Sequence, residues 1–561
     1  MKHAAALAAL AAARLAAAAP MSVAAAPMNV AAAPMNVAAA PMNVLYLLSD
    51  DMRADIGAYG LPTVTPHLDA LAASGLRFTH AFCQVSVCSP SRQSFLTGRR
   101  PDRSQVWNFI DANPIDARAT PRLFRDAGYL TLGAGKGFHE NAGCWNAANV
   151  WSNKTAGEAA GAPWCTPYST NTCPQSAHAS EGGGHCVVTA AEELALYDYT
   201  LRVQALADLS AAAANLAATG QPFFQLVGFR DPHAPWAAPQ RMYDLYNESA
   251  IKGPAHPVIG EGTPLIAWSD QLSVQLANGT AFPFSPTHAV PDFVQRDQRH
   301  AYYAAVSYVD EHVGAILAAL EEKGLANNTI VVFHADHGYQ VRRAQRPSRA
   351  ACMPRLRTTH GRPRPSPFHQ LGEHGMWEKK SNWDLAVRVP LIVRVPGRAA
   401  AAGAVTHSFV DLVDVMPTLA ALAGLPPPAG IDGDDMSALF DAPATVLKTE
   451  AFHQYPACGM AGVLNRTRDS CNNTPRTQFD FMGYTMRNAD WRYTVWLPWR
   501  NATLSADWDA PAGAWAEELY AHTGDESTSM DAWENVNAAA ASPAVAAALR
   551  ARVRAFFDHA W

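Results

Sequence analysis

The 561-residue sequence has no excess of positive charge and, beyond its first residues, no apolar run long enough to cross a bilayer. Lysine and arginine number 43 against 49 aspartates and glutamates, for a formal net charge of −6. Aromatic residues are not interleaved with basic ones. The chain is therefore expected neither to bind nucleic acid nor to insert stably in a membrane. Histidine and cysteine do not recur at the short spacings of a zinc site. No thiolate-phosphatase loop is present around Cys88 either, because the position six residues beyond it, where such a loop needs arginine, holds Ser94.

The start, "MKHAAALAALAAARLAAAA", combines an early positive charge, an apolar run and small residues. It reads as a secretory signal peptide, with a low-complexity alanine-rich leader as the other reading. Copies of "AAAPMNV" follow as far as Val44, and the proline in each rules out a coiled coil. Residues 1–40 are thus a leader and linker. Cysteine usage fits export. Cys144, Cys165, Cys173, Cys186, Cys458 and Cys471 lie in loop-like segments, where Cys173–Cys186 and Cys458–Cys471 are plausible local disulfides. Glycosylation sequons at Asn153, Asn247, Asn278, Asn327, Asn465, Asn472 and Asn501 suit a glycoprotein of the secretory pathway, extracellular or lysosome-like.

Four apolar runs end in polar residues. "NVLYLLSDD" delivers Asp50 and Asp51, "GYLTLGAGKGFH" delivers Lys136 and His139, "PFFQLVGFRDPHAPW" delivers His233, and "TIVVFHADHG" delivers Asp336 and His337. Helix-like stretches lie between and beyond them, at Pro66 to Ser74, Pro121 to Ala127, Tyr302 to Lys323 and Val410 to Leu422. Buried-looking strands alternating with amphipathic helices predict an α/β fold with a large, mostly parallel sheet. In such sheets the site lies beyond the carboxyl ends of the strands.

"VCSPSRQSFLTG" opens a further helix, with Pro90 in its first turn and Gly98 as its stop. Cys88 stands at its mouth, beside backbone N–H groups that suit an anion. Each polar residue has an ordinary reading: paired aspartates cap helices, and a loop histidine or lysine is commonly structural. Their shared placement at strand ends favours a site. Asp50, Asp51 and Asp336 offer hard oxygen ligands for a Ca²⁺- or Mg²⁺-type ion, to which His337 could add a ligand or a hydrogen bond. Arg92, Lys136, His139, His233 and Lys379 complete a cationic pocket for a compact oxyanion, sulfate or phosphate, undergoing ester cleavage.

"CSPSRQSFLTGRRP" resembles the signature of the type I, formylglycine-dependent sulfatases. "GKGFH", "HADHG", "LGEHGMWEKKSNWD" and "MGYTMRNADWRYTVW" follow in order and are most similar to the iduronate-2-sulfatase branch. The resemblance implies an alkaline-phosphatase-like sulfatase fold and conversion of Cys88 to formylglycine by a formylglycine-generating enzyme. It implies one Ca²⁺ per chain, held by Asp50, Asp51, Asp336, His337 and the modified Cys88. Arg92 and Lys136 would hold the formylglycine, His139 would serve its diol, and His233 and Lys379 would contact the sulfate and the leaving oxygen. The implied substrate is a sulfated saccharide, as in glycosaminoglycan or sulfated-polysaccharide degradation. A phosphodiesterase or phosphonate hydrolase of the same superfamily, or a non-catalytic carbohydrate-binding relative, are the competing readings.

The sequence departs from that pattern at residues 341–370, a basic insertion rich in arginine and proline. It reads most simply as a gene-model artefact, and otherwise as a flexible basic flap for an anionic polymer. The catalytic domain is expected at 41–445. A smaller C-terminal unit at 446–561 would hold an antiparallel hairpin turning at "NAD" and a final helix from Pro543 to His559.

Overall fold

The computed structural model describes residues 41–111, 119–139, 150–152, 178–179, 185–269, 273–275, 281–339, 372–376, 379–525 and 533–558. Residues 1–40, which hold the leader and all but the end of the repeats, the 341–370 insertion, Cys144, Cys165, Cys173 and the sequons at Asn153 and Asn278 lie outside these residues. Among the described residues no helix is long and apolar enough to cross a membrane.

The first unit is built on β1 (Asn43–Ser49), α1 (Pro66–Ser74), β2 (Leu76–Phe82), α2 (Cys88–Thr97), α3 (Thr120–Asp126) and β3 (Leu130–Gly135). It continues through α4 (Tyr197–Thr219), β4 (Phe223–Gly228), α5 (Asp292–Glu322), β5 (Thr329–Ala335), β6 (Leu391–Arg394), β7 (Val405–Asp411) and α6 (Val415–Leu422). Its strands form one sheet in the order β7-β2-β6-β5-β1-β4-β3. The block β5-β1-β4-β3 is parallel throughout. Only β6 runs against its neighbours β5 and β2. Every residue of β1, β4 and β5 is buried. Continuous apolar runs of this kind suit strands covered on both faces.

A second, antiparallel sheet holds β8 (Glu450–Ala457), β9 (Phe481–Asn488), β10 (Trp491–Arg500), β11 (Ser505–Ala506) and β12 (Ala516–Ala521), with α7 (Pro543–Phe557) packed on it. The β9–β10 hairpin turns at Asn488 to Asp490, as its sequence predicts. Cys458 and Cys471 form a disulfide, and Cys186 is disulfide-bonded, although its expected partner Cys173 is outside the described residues.

Two helix expectations need correction. Val410 and Asp411 belong to β7, not to a helix: they pair in parallel with β2, and α6 starts only at Val415. The switch falls where Asp411 donates its N–H to the Asp414 carboxylate at 2.9 Å. The stretch "VDLVDV" is apolar at both strand and helix spacing, and the open edge of β2 decides its fate. Conversely, α5 begins at Asp292 rather than Tyr302. Its first turns are polar yet inward-facing, with Gln295, Gln298 and Arg299 buried. Their hydrogen bonds and ion pairs, such as Gln295 to the Val290 carbonyl, replace the apolar periodicity that marks a helix in sequence.

Candidate active site

All four polar-ended strands, β1, β3, β4 and β5, lie in the parallel block, so Asp50, Asp51, Lys136, His139, His233, Asp336 and His337 leave the sheet at one edge. The β3 and β4 ends approach closely there. A Cβ on Gly228 would lie 2.2 Å from the Lys136 backbone, and Gly135 adopts φ +71°. Glycine at both positions lets the chain turn and carry Lys136 back over the edge.

Cys88 is the first residue of α2, whose whole length is buried; the sequence had suggested a place just ahead of the helix and exposed N–H groups. Arg92, one turn on, shares its face. The Cys88 sulfur lies 3.3 Å from Asp50 Oδ1, 3.3 Å from His337 Nε2, 3.1 Å from Lys379 Nζ and 3.6 Å from Lys136 Nζ. Lys136 in turn donates to Asp50, and Lys379 to Asp51. Arg92 donates Nε to Asp336 Oδ2 at 3.0 Å, and its Nη2 lies 3.6 Å from Asp50. His233 is the most exposed member of the group, with Nε2 3.9 Å from Asp51 Oδ2 and Nδ1 held 2.7 Å from the Ala234 carbonyl. Asp50, His337, Lys136 and Lys379 thus gather around one sulfur, Asp51, Arg92, Asp336 and His233 join them through the contacts just given, and His139 lies within the electrostatic reach of Lys136, Arg92 and Asp50.

Burial, reinforced by the Asp50 charge, raises the Cys88 thiol above its ordinary value. The group therefore stays a thiol rather than a thiolate nucleophile. Asp50 is held well below the usual carboxylate range: burial opposes ionisation, but the Lys136, Arg92 and Lys379 charges outweigh it. Burial also opposes the charge on Lys379, and Asp51 and its neighbours overcome this, so its ammonium is retained. His139 and His233 are both driven well below 6.5, by burial first and then by the neighbouring cations, so both are neutral near pH 7.

Asp50, Asp51, Cys88 and His337 each offer a ligand atom, all within 4.8 Å of one another. Asp51 Oδ2 is buried without a hydrogen-bond partner. Clustered carboxylates with an unsatisfied oxygen are a donor set that fits a hard divalent cation. Asp336 borders this group. Its Oδ1 accepts the backbone N–H of Asp51 and of His337, and its Oδ2 is committed to Arg92.

Several side chains around the site escaped the sequence analysis. The Phe109 ring stacks on His139, with centroids 4.7 Å apart and planes 13° from parallel. Its backbone is clipped to the second unit by a hydrogen bond to the Asn472 carbonyl, and Asn108 bonds the Thr474 carbonyl. Asp198 accepts the N–H groups of Arg230 and Asp231 and so holds the loop that carries His233. Glu373 pairs with the buried Arg53 and Arg299. A lone aromatic in "WNFID", or an aspartate far from its partner, leaves no spacing signal.

Residues 42–425 match the protein-family model described as Sulfatase. The chain is 30% identical to iduronate 2-sulfatase of Mus musculus over 539 residues, covering 85% of this chain and 88% of that protein. It is equally 30% identical to iduronate 2-sulfatase of Homo sapiens, over 81% of this chain and 84% of the relative. Among solved structures, the phosphonate monoester hydrolase of Silicibacter pomeroyi superposes with a TM-score of 0.63 at 20% identity, covering 92% of this chain and 96% of that one. A 2-O GAG sulfatase superposes at 0.61 with 19% identity and covers 92% of each chain.

Proposed function

The chain belongs to the sulfatase family and is a sulfuric ester hydrolase; from that premise we propose that it removes sulfate from a sulfated saccharide, as an iduronate-2-sulfatase does. The observation that carries the reading is Cys88 itself. It is a buried, protonated thiol ringed by two lysines, a histidine and a carboxylate, a setting of little use to a thiol and well suited to an oxygen nucleophile.

In this reading Cys88 is matured to formylglycine by a formylglycine-generating enzyme in the secretory pathway, and its sulfur marks the position of the oxygens of the hydrated aldehyde. The diol would supply the hydroxyl that attacks sulfur as the S–O bond to the sugar breaks and the sugar leaves as an alcohol; loss of the proton from the second hydroxyl would then rebuild the aldehyde C=O bond and expel the sulfate. Asp50, Asp51, Asp336, His337 and residue 88 would hold one Ca²⁺, which supplies charge stabilisation for the sulfate oxygens and the attacking hydroxyl. Lys136 sits within hydrogen-bonding range of residue 88 and holds its oxygen in place. Arg92 fixes Asp336 and adds positive charge behind the helix mouth. His139, neutral near pH 7, takes the proton of the hydroxyl that remains. Lys379, kept as an ammonium, and His233 face the sulfate, and the Lys379 charge balances the one that builds on the leaving oxygen. We place this catalytic unit at 41–445 and the smaller unit at 446–561.

Initial rates on 2-sulfated iduronate, an aryl sulfate and a phosphonate monoester test the reading. Turnover of the sulfated sugar above the others supports it. Preference for the phosphonate would replace it with the phosphonate-hydrolase alternative, and inertness toward all three with the carbohydrate-binding one.

A further inference from the structure

The second unit carries an open groove of about 440 Å³ between β10, the loop that follows it and α7. Leu497, Trp508 and Trp515 line it, together with Arg550 and Arg554 and small alanines. It lies on the α7 side of the antiparallel sheet. Side chains alternate across a strand: Val495 and Leu497 of β10 belong to the cluster that contains α7, whereas Trp496 between them packs into the core of the first unit. The groove therefore faces away from the Cys88 pocket.

Its chemistry is specific. Among the described residues no carboxylate lines it. The Arg550 guanidinium lies 4.4 Å from the centroid of the Trp515 ring. No acidic side chain pairs with Arg550 among the described residues. Its two neighbours on α7 differ: Arg552 pairs with Glu450, and Arg554 is held by Asp509 and Asp558. Trp508 is braced from behind by Tyr484, stacked at 5.5 Å and 12° from parallel. A flat guanidinium laid on an indole keeps its N–H edge available for a two-point contact with a sulfate or carboxylate. Rigid indoles beside it offer apolar faces of the size of a pyranose ring.

From this juxtaposition we propose that the groove is a second binding site for an anionic saccharide chain, with Trp508 and Trp515 packing on sugar rings and Arg550 reading a sulfate. The chain as a whole carries a net charge of −6; Arg554 is neutralised by Asp509 and Asp558, which leaves Arg550 as the groove cation that no acidic side chain among the described residues pairs, a local exception suited to a polyanion. It would keep a polymeric substrate on the enzyme between turnovers, raising its effective concentration at the catalytic pocket. The proposal rests on the saccharide reading above, but the two fail separately, because binding here is read without turnover.

The test is electrophoresis of the full chain through native gels containing dextran sulfate or uncharged dextran. The wild type is expected to be retarded by dextran sulfate alone. Arg550→Ala and Trp515→Ala are each expected to weaken that binding about five- to tenfold, as loss of one cation–aromatic contact implies. Hydrolysis of a small aryl sulfate should stay at the wild-type rate in both. Equal retardation by uncharged dextran, or variants retarded as strongly as the wild type, would overturn the proposal. So would a change of oligomeric state in Trp515→Ala, which would make the groove a contact between copies. Should Trp515→Ala fail to fold, Arg550→Ala decides the matter, since the Arg550 side chain is partly exposed on the face of α7 and its removal leaves the ring in place.

Discussion

Lys136 is nearly fully buried, and its ammonium bridges Asp50 and the Cys88 sulfur. Lys136→Ala removes a donor aimed at residue 88 and strands a buried carboxylate. Its kcat is expected to fall by about 10²- to 10³-fold, the usual cost of one such donor in a preorganised site, and steady-state kinetics on an aryl sulfate would show it. Phe109 acts at one remove. Its ring covers one face of His139 and limits the imidazole's rotation. Phe109→Ala is expected to lower kcat about tenfold with KM nearly unchanged, and Phe109→Tyr to restore it. Neither Phe109 nor Asp198 was legible in the sequence, because each acts on a group distant in the chain and carries no motif. Cys88 and Arg92 were legible because one turn of one helix holds both, and the strand-end residues because each ends an apolar run.

At the scale of elements, two connections tie the second sheet to the site. The Cys458–Cys471 disulfide closes a loop of 13 residues' separation, and the residues just beyond it grip Asn108 and Phe109. Replacing both cysteines with serine is expected to cost about 2–3 kcal/mol of stability, read by urea denaturation. Asp102, in the short helical turn after α2, is half-buried and accepts hydrogen bonds from Tyr484 of β9 and from Gln454 of β8. Burial raises its carboxyl from 3.8 to about 6, with those hydrogen bonds opposing. Because the folded value is the higher, the folded state binds the proton more tightly, and this group's contribution to stability is lost as pH rises from about 4 through 6. Asp102→Asn removes that dependence. Relative to wild type it should gain about 1–3 kcal/mol between pH 4 and pH 7, measured by denaturant melts at both pH values. The elements themselves were legible where burial is continuous, as in β1 and β5. They were misread at Val410, where strand pairing overrode helical spacing, and at Asp292, where buried polar residues hid a helix start.

At the scale of the whole molecule, residues far apart in the chain converge on one sheet edge, and buried opposite charges there hold one another in place. In the function proposed above, such a set would bind a divalent cation in the folded state and lose it on unfolding, which would link metal and stability. Dialysis against a calcium chelator is expected to lower Tm by the equivalent of about 2–4 kcal/mol, and added Ca²⁺ to restore it. Asp50→Asn protein should respond to neither treatment, as scanning calorimetry would show. The central claim is that Cys88 serves as the precursor of an aldehyde rather than as a thiol. Mass spectrometry of the peptide spanning Cys88, taken from protein whose sulfatase activity has been measured, tests it most directly. The account predicts an aldehyde, or its hydrate, at position 88 in proportion to specific activity; fully active protein in which that peptide carries only an unmodified thiol would contradict it.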